Sequence, residues 1–99
     1  MRETGRNGFQ SYLVKKLEHM FPNCIVLKND PNYIQGIPDL TILYGSNWAT
    51  LETKGSVKAT IRPNQEYYVD QMNGMSFSRF IFPENEDEVL EELYLHLTR

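Results

Sequence analysis

Two strand-like segments joined by a glycine-serine pair place the strongest constraint on the fold of this chain. Residues 36–44 and 48–54 alternate apolar and polar side chains, and Gly45-Ser46 between them is typical of a tight hairpin turn. A two-residue turn pairs position 44 with 47 and, counting outward, position 40 with 51. In this register the apolar side chains of both strands share a face, apart from Leu43 and Trp48 near the turn, so we expect that face to pack into a core.

The same register gathers charged side chains on the opposite face. Asp39 falls opposite Glu52, with Cβ atoms expected about 5 Å apart, and Lys54 follows two residues later on the same face. Two neighbouring carboxylates repel each other unless a cation lies between them. The pattern indicates either a divalent-metal site with a lysine beside it, or a solvated surface on which Lys54 neutralises two acids.

Composition limits the chemistry of such a site. With 99 residues, the chain is expected to form a single domain over residues 1–99. Its one cysteine, Cys24, excludes an internal disulfide and a cysteine-rich zinc site, so a metal would need oxygen ligands. No apolar stretch approaches the roughly 20 residues of a membrane span and no signal-peptide pattern opens the chain. We therefore expect no membrane partner and an intracellular, cytoplasmic location.

The net charge of −3 conceals an uneven distribution. Six of the acids lie after residue 83, where only Arg99 offsets them, whereas residues 1–83 hold seven acids and nine Lys or Arg, a balance of +2. Net charge governs solubility and non-specific association rather than what one patch binds. A nucleic-acid partner is therefore compatible with this acidic chain.

Hydrophobic periodicity predicts the order α-β-β-β-α-β-α. We expect an α/β (α+β) fold in which helices flank a mixed sheet, with the polar hairpin at its centre. Predicted helices cover residues 6–21, 63–73 and 84–97, with Pro63 at a helix start and Gly74 at the helix end. Predicted strands cover residues 24–28, 36–44, 48–54 and 77–82.

The polar residues follow a known pattern. Pro38-Asp39, followed after a short hairpin by Glu52-Thr53-Lys54, resembles the signature of the PD-(D/E)xK nuclease superfamily. The Gly-Ile-Pro-Asp-Leu sequence at 36–40 and Gln65 shortly afterwards are most similar to the VRR-NUC family, whose layout is similar to that of Holliday-junction resolvases. The resemblance covers residues 3–82. It implies a restriction-endonuclease-like core and a metal-dependent endonuclease that acts on DNA, with branched DNA such as four-way junctions or flaps as the expected substrate.

The resemblance also assigns roles to individual residues. Asp39 and Glu52 would bind Mg²⁺ or Mn²⁺ together with the backbone carbonyl of Thr53. Lys54 would orient the attacking water or stabilise the charge that develops on the phosphoryl group. Gln65 is carried over as an active-site residue, with a solvent-facing helix position as the alternative.

Glu3 matches the carboxylate that the first helix of the family contributes to the metal site. Gly5 and Gly8 intervene before the firm part of the helix, so an ordinary charged chain end is the alternative. Gln10 lies about two turns further on and is a weaker candidate for the same site.

Partners are expected from the chemistry of the task. Lys58, Arg62 and Arg6 are candidate phosphate contacts, which would position DNA without reading its sequence. A homodimer would supply two active sites for two strands, and an exposed patch of Met72, Met75, Phe77 and Phe80 would be its interface if these residues are not core. The alternative function is a non-catalytic module that binds nucleic acid or a protein.

Overall fold

The computed structural model describes residues 5–99, which form an α+β fold of three helices and a four-stranded mixed sheet. In chain order the elements are α1 (Gly5–Met20), β1 (Ile25–Lys28), β2 (Leu40–Tyr44), β3 (Asn47–Thr53), α2 (Pro63–Met75), β4 (Ser78–Ile81) and α3 (Glu86–Leu97), with a short 3-10 turn at Pro83–Asn85 before α3. The predicted order of elements agrees with this arrangement. Glu3, the candidate metal ligand near the amino terminus, lies outside the described residues.

The strands follow one another across the sheet in the order β1-β2-β3-β4. β1 pairs antiparallel with β2, β2 pairs antiparallel with β3, and β3 pairs parallel with β4. The hairpin register is as predicted, because Tyr44 faces Asn47 and Leu40 faces Leu51. Gly45 in the turn has a φ of 60°, a left-handed conformation that glycine adopts without strain.

The core lies between one face of the sheet and the helices α1 and α3. Phe9, Leu13 and Leu17 recur at four-residue intervals, so they form one stripe of α1 and are all buried. They pack with the inward side chains of β2 and β3 and with the apolar stripe of α3. The apolar face predicted for the hairpin therefore packs into the core.

α2 covers the other face of the sheet. Its Val69 is buried, and the Thr50 hydroxyl contacts the Met72 sulfur at 3.9 Å. The helix begins at Pro63 as predicted, but it runs past the expected stop at Gly74 and ends where the Ser76 N–H bonds the Met72 carbonyl. The predicted end was wrong because glycine permits a left-handed helix end without enforcing one.

The segment before β2 departs from the predicted strand. Residues 36–39 are not in the ladder, and the expected pair of Asp39 with Glu52 lies one step beyond the last paired residues. Gly36 has a φ of 89° and Pro38 has no N–H to donate, so neither suits a paired strand. The side chain of Asn29 donates to the Pro38 carbonyl at 2.8 Å and ties the segment to the end of β1.

Apolar side chains outside the core are distributed differently from the expected dimer patch. Phe77 belongs to the core, whereas Met75 is 64% exposed, so the Met/Phe group is not one exposed surface. Ile25, Leu27 and Leu43 are exposed on β1 and β2. Within residues 5–99, no helix has both the length and the apolar character needed to cross a membrane.

Candidate active site

The polar residues of the hairpin meet at one end of the sheet. Asp39 immediately precedes β2, Glu52 lies at the end of β3, and Lys54 follows β3. The three side chains belong to the few charged groups that are buried, with exposures of 8%, 2% and 8% for Asp39, Glu52 and Lys54. Ionisable groups are rarely buried without partners, so their partners define the site.

Asp39 is held by both α1 and the end of β3. Its Oδ2 accepts hydrogen bonds from the backbone N–H of Thr53 at 3.0 Å and from Thr53 Oγ1 at 2.6 Å. Its Oδ1 forms a salt bridge with Nη2 of Arg6, in the first turn of α1. The Thr53 hydroxyl in turn accepts a bond from Gln10 Nε2 at 3.1 Å. The carboxylate thus turns toward Thr53 instead of standing in the ladder opposite Glu52.

The backbone N–H of Thr53 points to the side of β3 on which Asp39 lies. The N–H groups of Thr50 and Lys54 point toward β4, where they bond carbonyl oxygens of Phe77 and Ile81. The Thr53 N–H points the other way, to Asp39. Both polar groups of a strand residue point to the same side, so the Thr53 carbonyl is also directed to the Asp39 side of β3.

Glu52 lies in an environment that disfavours its charge. Burial, together with the nearby charge of Asp39, raises its pKa from 4.5 to about 7. The charges of Lys54 and Arg6, and a hydrogen bond from the Asp39 backbone, oppose this rise in pKa without cancelling it. A buried carboxylate beside a second carboxylate is a favourable place for a bound cation, which would stabilise the ionised form of Glu52.

Gln65 connects the acidic and basic sides of the cluster. Its Nε2 donates to Glu52 Oε2 at 3.1 Å, and its Oε1 accepts bonds from Lys54 Nζ at 2.7 Å and from the Arg62 N–H at 3.0 Å. Lys54 Nζ also donates to the Thr60 carbonyl at 3.0 Å and lies 3.9 Å from Glu52 Oε2. The solvent-facing alternative for Gln65 was therefore wrong, and the lysine ammonium is fixed on three sides.

A cleft of about 490 Å³ opens above this cluster. Asp39, Glu52, Lys54 and Gln65 all line it, and its walls come from the loop before β2 and the start of α2 (Asn32, Gln35, Gly36, Arg62, Asn64) together with Arg6 of α1. Lys58 is exposed on the loop after β3 but is not among the lining residues. Of the expected phosphate contacts, Arg6 and Arg62 thus reach the cleft.

The donor atoms suit a hard cation. Two carboxylates and a backbone carbonyl are oxygen ligands, and Mg²⁺ typically binds few protein ligands and retains several waters. Residues 5–99 contain no cluster of three or more His, Cys, Asp or Glu side chains arranged to hold a metal. Among these residues every buried side-chain nitrogen or oxygen also has a hydrogen-bond partner. A cation at Asp39 would therefore have to compete with Arg6.

Sequence reasoning missed two of the connections that build this site. Arg6 was expected to contact phosphate, yet it is bonded to Asp39, and the Thr53 hydroxyl was not expected to hold the same carboxylate. No local pattern signals either contact, because 33 and 14 residues of sequence separate the partners.

Comparisons with protein-family models, curated proteins and solved structures find no match to this chain.

Proposed function

We propose that this chain is a Mg²⁺- or Mn²⁺-dependent endonuclease of the PD-(D/E)xK type that hydrolyses DNA phosphodiester bonds. The observation that carries the proposal is the convergence of Asp39, Glu52, Lys54 and Gln65 on the floor of one open cleft. A surface ion network would leave such charged side chains largely solvated, whereas Asp39, Glu52 and Lys54 are buried. The restriction-endonuclease-like core and membership of the VRR-NUC family are parts of this proposal.

Each group has a task in phosphodiester hydrolysis. Asp39, Glu52 and the Thr53 carbonyl would hold the divalent cation, which when bound lowers the pKa of a bound water and stabilises charge on the phosphoryl oxygens. Lys54, fixed by Thr60 and Gln65, would donate to the attacking water or to a phosphoryl oxygen. Preorganised donors of this kind stabilise developing charge without having to reorganise during the reaction.

The cleft walls support an anionic polymer as substrate. Arg6 and Arg62 both line the cleft, and guanidinium groups bind phosphate oxygens in bidentate geometry. Contacts of this type carry no base specificity. Four-way junctions and flaps are the DNA structures we propose as substrates, on the basis of the family resemblance alone.

The test is cleavage of labelled four-way, flap and linear DNA with Mg²⁺ or Mn²⁺. We expect cleavage of branched DNA that EDTA abolishes, and a loss of at least about 100-fold in Glu52→Gln and Lys54→Ala. Gln71→Ala is the matched control, because this exposed residue of α2 lies outside the cleft. Absence of cleavage of every DNA by the wild-type protein would contradict the proposal.

One observation favours the alternative, a non-catalytic module that binds nucleic acid. Asp39 is fully partnered by Arg6 and Thr53 without a metal, so the cluster can be a self-neutralised structural network. Such a module would bind DNA equally well in EDTA and in Mg²⁺, lose affinity with salt, and be indifferent to Lys54→Ala. Filter binding across salt concentrations, with and without EDTA, separates the two functions.

We also propose a homodimer, because cleavage of two strands at a branch requires two active sites. The exposed apolar side chains of Ile25, Leu27 and Leu43 lie on neighbouring strands and could contribute to the interface. Light scattering at several protein concentrations tests the oligomeric state. A monomer that makes unpaired nicks would contradict the dimer and leave the nuclease proposal intact.

A further inference from the structure

Arg6 occupies the one oxygen of Asp39 that Thr53 leaves available. Oδ2 accepts both the N–H and the hydroxyl of Thr53, at 3.0 and 2.6 Å. Oδ1 is bonded to Nη2 of Arg6. A divalent cation that used Oδ1 as a ligand would lie within a few ångströms of this guanidinium, and the two positive charges would repel each other. Cation and Arg6 therefore compete for one atom.

The position of Arg6 allows it to move away. It lies in the first turn of α1, its side chain is 49% exposed, and it lines the cleft in which a substrate would bind. An arginine side chain is long and always charged, so displacement from Asp39 changes its partner and not its charge. Within the cleft the natural new partner is an anion, and a guanidinium binds phosphate through the same paired hydrogen bonds as it binds a carboxylate.

We propose that Arg6 is a displaceable counter-ion, which neutralises Asp39 in the metal-free protein and contacts a substrate phosphate once a divalent cation replaces it. This inference rests on the proposed nuclease function, because it requires both a metal and a phosphate in the cleft. A cation alone competes with Arg6 for Asp39. When a phosphate is also bound, the cation neutralises Asp39 and Arg6 pairs with the phosphate. Metal and DNA therefore strengthen each other's binding, and the coupling is reciprocal.

The first measurement is Mn²⁺ affinity in the absence of DNA, by calorimetric titration of the wild type, Arg6→Ala, Arg6→Lys and Arg62→Ala. We expect Arg6→Ala to bind Mn²⁺ about fivefold more tightly or better, since the competitor is gone. Arg6→Lys keeps a positive charge near Asp39 and should stay near the wild-type affinity. Arg62→Ala is the matched control, because it removes the same charge from the same cleft without touching Asp39.

The second measurement is the affinity for a labelled four-way-junction DNA, by fluorescence anisotropy in EDTA and in Ca²⁺, a cation that uses the same oxygen ligands. Ca²⁺ should raise the affinity of the wild type by about fivefold or more, and most of that gain should be lost in Arg6→Ala, where only the attraction between cation and phosphate remains. Arg62→Ala should weaken DNA binding by a similar factor in both conditions, because its side chain is a phosphate contact in either state.

Three outcomes overturn the inference. These are Mn²⁺ binding by Arg6→Ala that is no tighter than that by Arg62→Ala, a Ca²⁺ effect on DNA binding that is undiminished in Arg6→Ala, and no Mn²⁺ binding by any variant at millimolar concentration. If the wild type cleaves DNA while either of the first two results is found, only the role of Arg6 is wrong. If Arg6→Ala binds Mn²⁺ more tightly but the wild type cleaves nothing, the counter-ion role is supported and the nuclease function is not. Melting temperatures in EDTA verify that all variants are folded.

Discussion

Thr53 donates two hydrogen bonds to a single oxygen of Asp39, one from its backbone and one from its hydroxyl. The residue is fully buried and its hydroxyl also accepts a bond from Gln10, so α1, β3 and the start of β2 are joined at this carboxylate. The geometry of the candidate metal ligand is therefore set by a residue that the nuclease signature leaves unspecified.

Thr53→Val keeps the shape of the side chain and removes the hydroxyl. We expect a loss of about 1–2 kcal/mol in the free energy of unfolding, because Asp39 and Gln10 each lose a partner, and a roughly tenfold or greater loss of Mn²⁺ affinity. Urea denaturation and calorimetry measure the two effects. Thr50→Val is the matched control, since Thr50 lies on the same strand as Thr53 and its hydroxyl bonds Ser78 of β4, away from the cluster. An equal loss of Mn²⁺ affinity in both variants would contradict a positioning role for Thr53.

Gln65 is expected to act by holding Lys54 and Glu52 at a fixed separation. Gln65→Ala removes bonds to both, so we expect at least a tenfold loss of kcat with a smaller change in DNA affinity. Gln65→Glu keeps an acceptor for Lys54 but places another carboxylate, in addition to Asp39, near Glu52, so activity should fall and the pKa of Glu52 should rise further. Single-turnover cleavage and DNA binding separate the two effects. A change in DNA affinity alone would indicate that Gln65 binds substrate instead.

The raised pKa of Glu52 predicts a specific dependence of stability on pH. Between pH 4.5 and about 7 the folded protein holds a proton that the unfolded chain has lost, so stability decreases as the pH rises through this interval. The total decrease in the free energy of unfolding corresponds to about 3 kcal/mol and is complete above pH 7. Urea denaturation in EDTA from pH 5 to 8 should show this decline in the wild type.

Glu52→Gln is the control for that measurement. It cannot ionise, so the difference between the two stability curves isolates the contribution of Glu52 from that of every other titratable group. Parallel curves for the wild type and Glu52→Gln would show that the pKa of Glu52 is not raised. Divalent cation should reduce the decline in the wild type, because it stabilises the ionised carboxylate.

Gly36 is predicted to be required for the wall of the cleft. Its φ is 89°, and a Cβ at this position would lie 2.8 Å from backbone atoms of Asn64 at the start of α2. Gly36→Ala should therefore lower the free energy of unfolding by about 1–3 kcal/mol and displace the loop from α2.

Gly74→Ala, in contrast to Gly36→Ala, is not expected to destabilise the protein. A Cβ there meets nothing within 4 Å, and the residue lies inside the last turn of α2, so this variant should be neutral or more stable by about 0.5–1 kcal/mol. Melting temperatures of the two variants provide the comparison. Similar destabilisation by both substitutions would argue against the contact between Gly36 and Asn64.

The sequence by itself determined the hairpin and the charged residues at the end of the hairpin opposite its turn. The register follows from a two-residue turn and from side-chain alternation, both of which are local, so Leu40 and Leu51 could be paired without a structure. The same local logic brought Asp39, Glu52 and Lys54 to one end of the sheet. The prediction that Asp39 pairs with Glu52 in the ladder was wrong, because Gly36 and Pro38 prevent pairing before Leu40. The side chain of Asp39 is therefore free to turn toward Thr53.

Only the tertiary structure decided how the charges of the site are balanced. The pairing of Arg6 with Asp39 depends on where the first turn of α1 meets the end of the sheet, and the bonds of Gln65 depend on the docking of α2 on the other face. The packing of whole helices against the sheet brings Arg6 and Gln65 to the site, and no periodicity along the chain encodes that packing. The burial that raises the pKa of Glu52 is likewise a property of the assembled fold, because it requires elements distant in sequence to exclude water together.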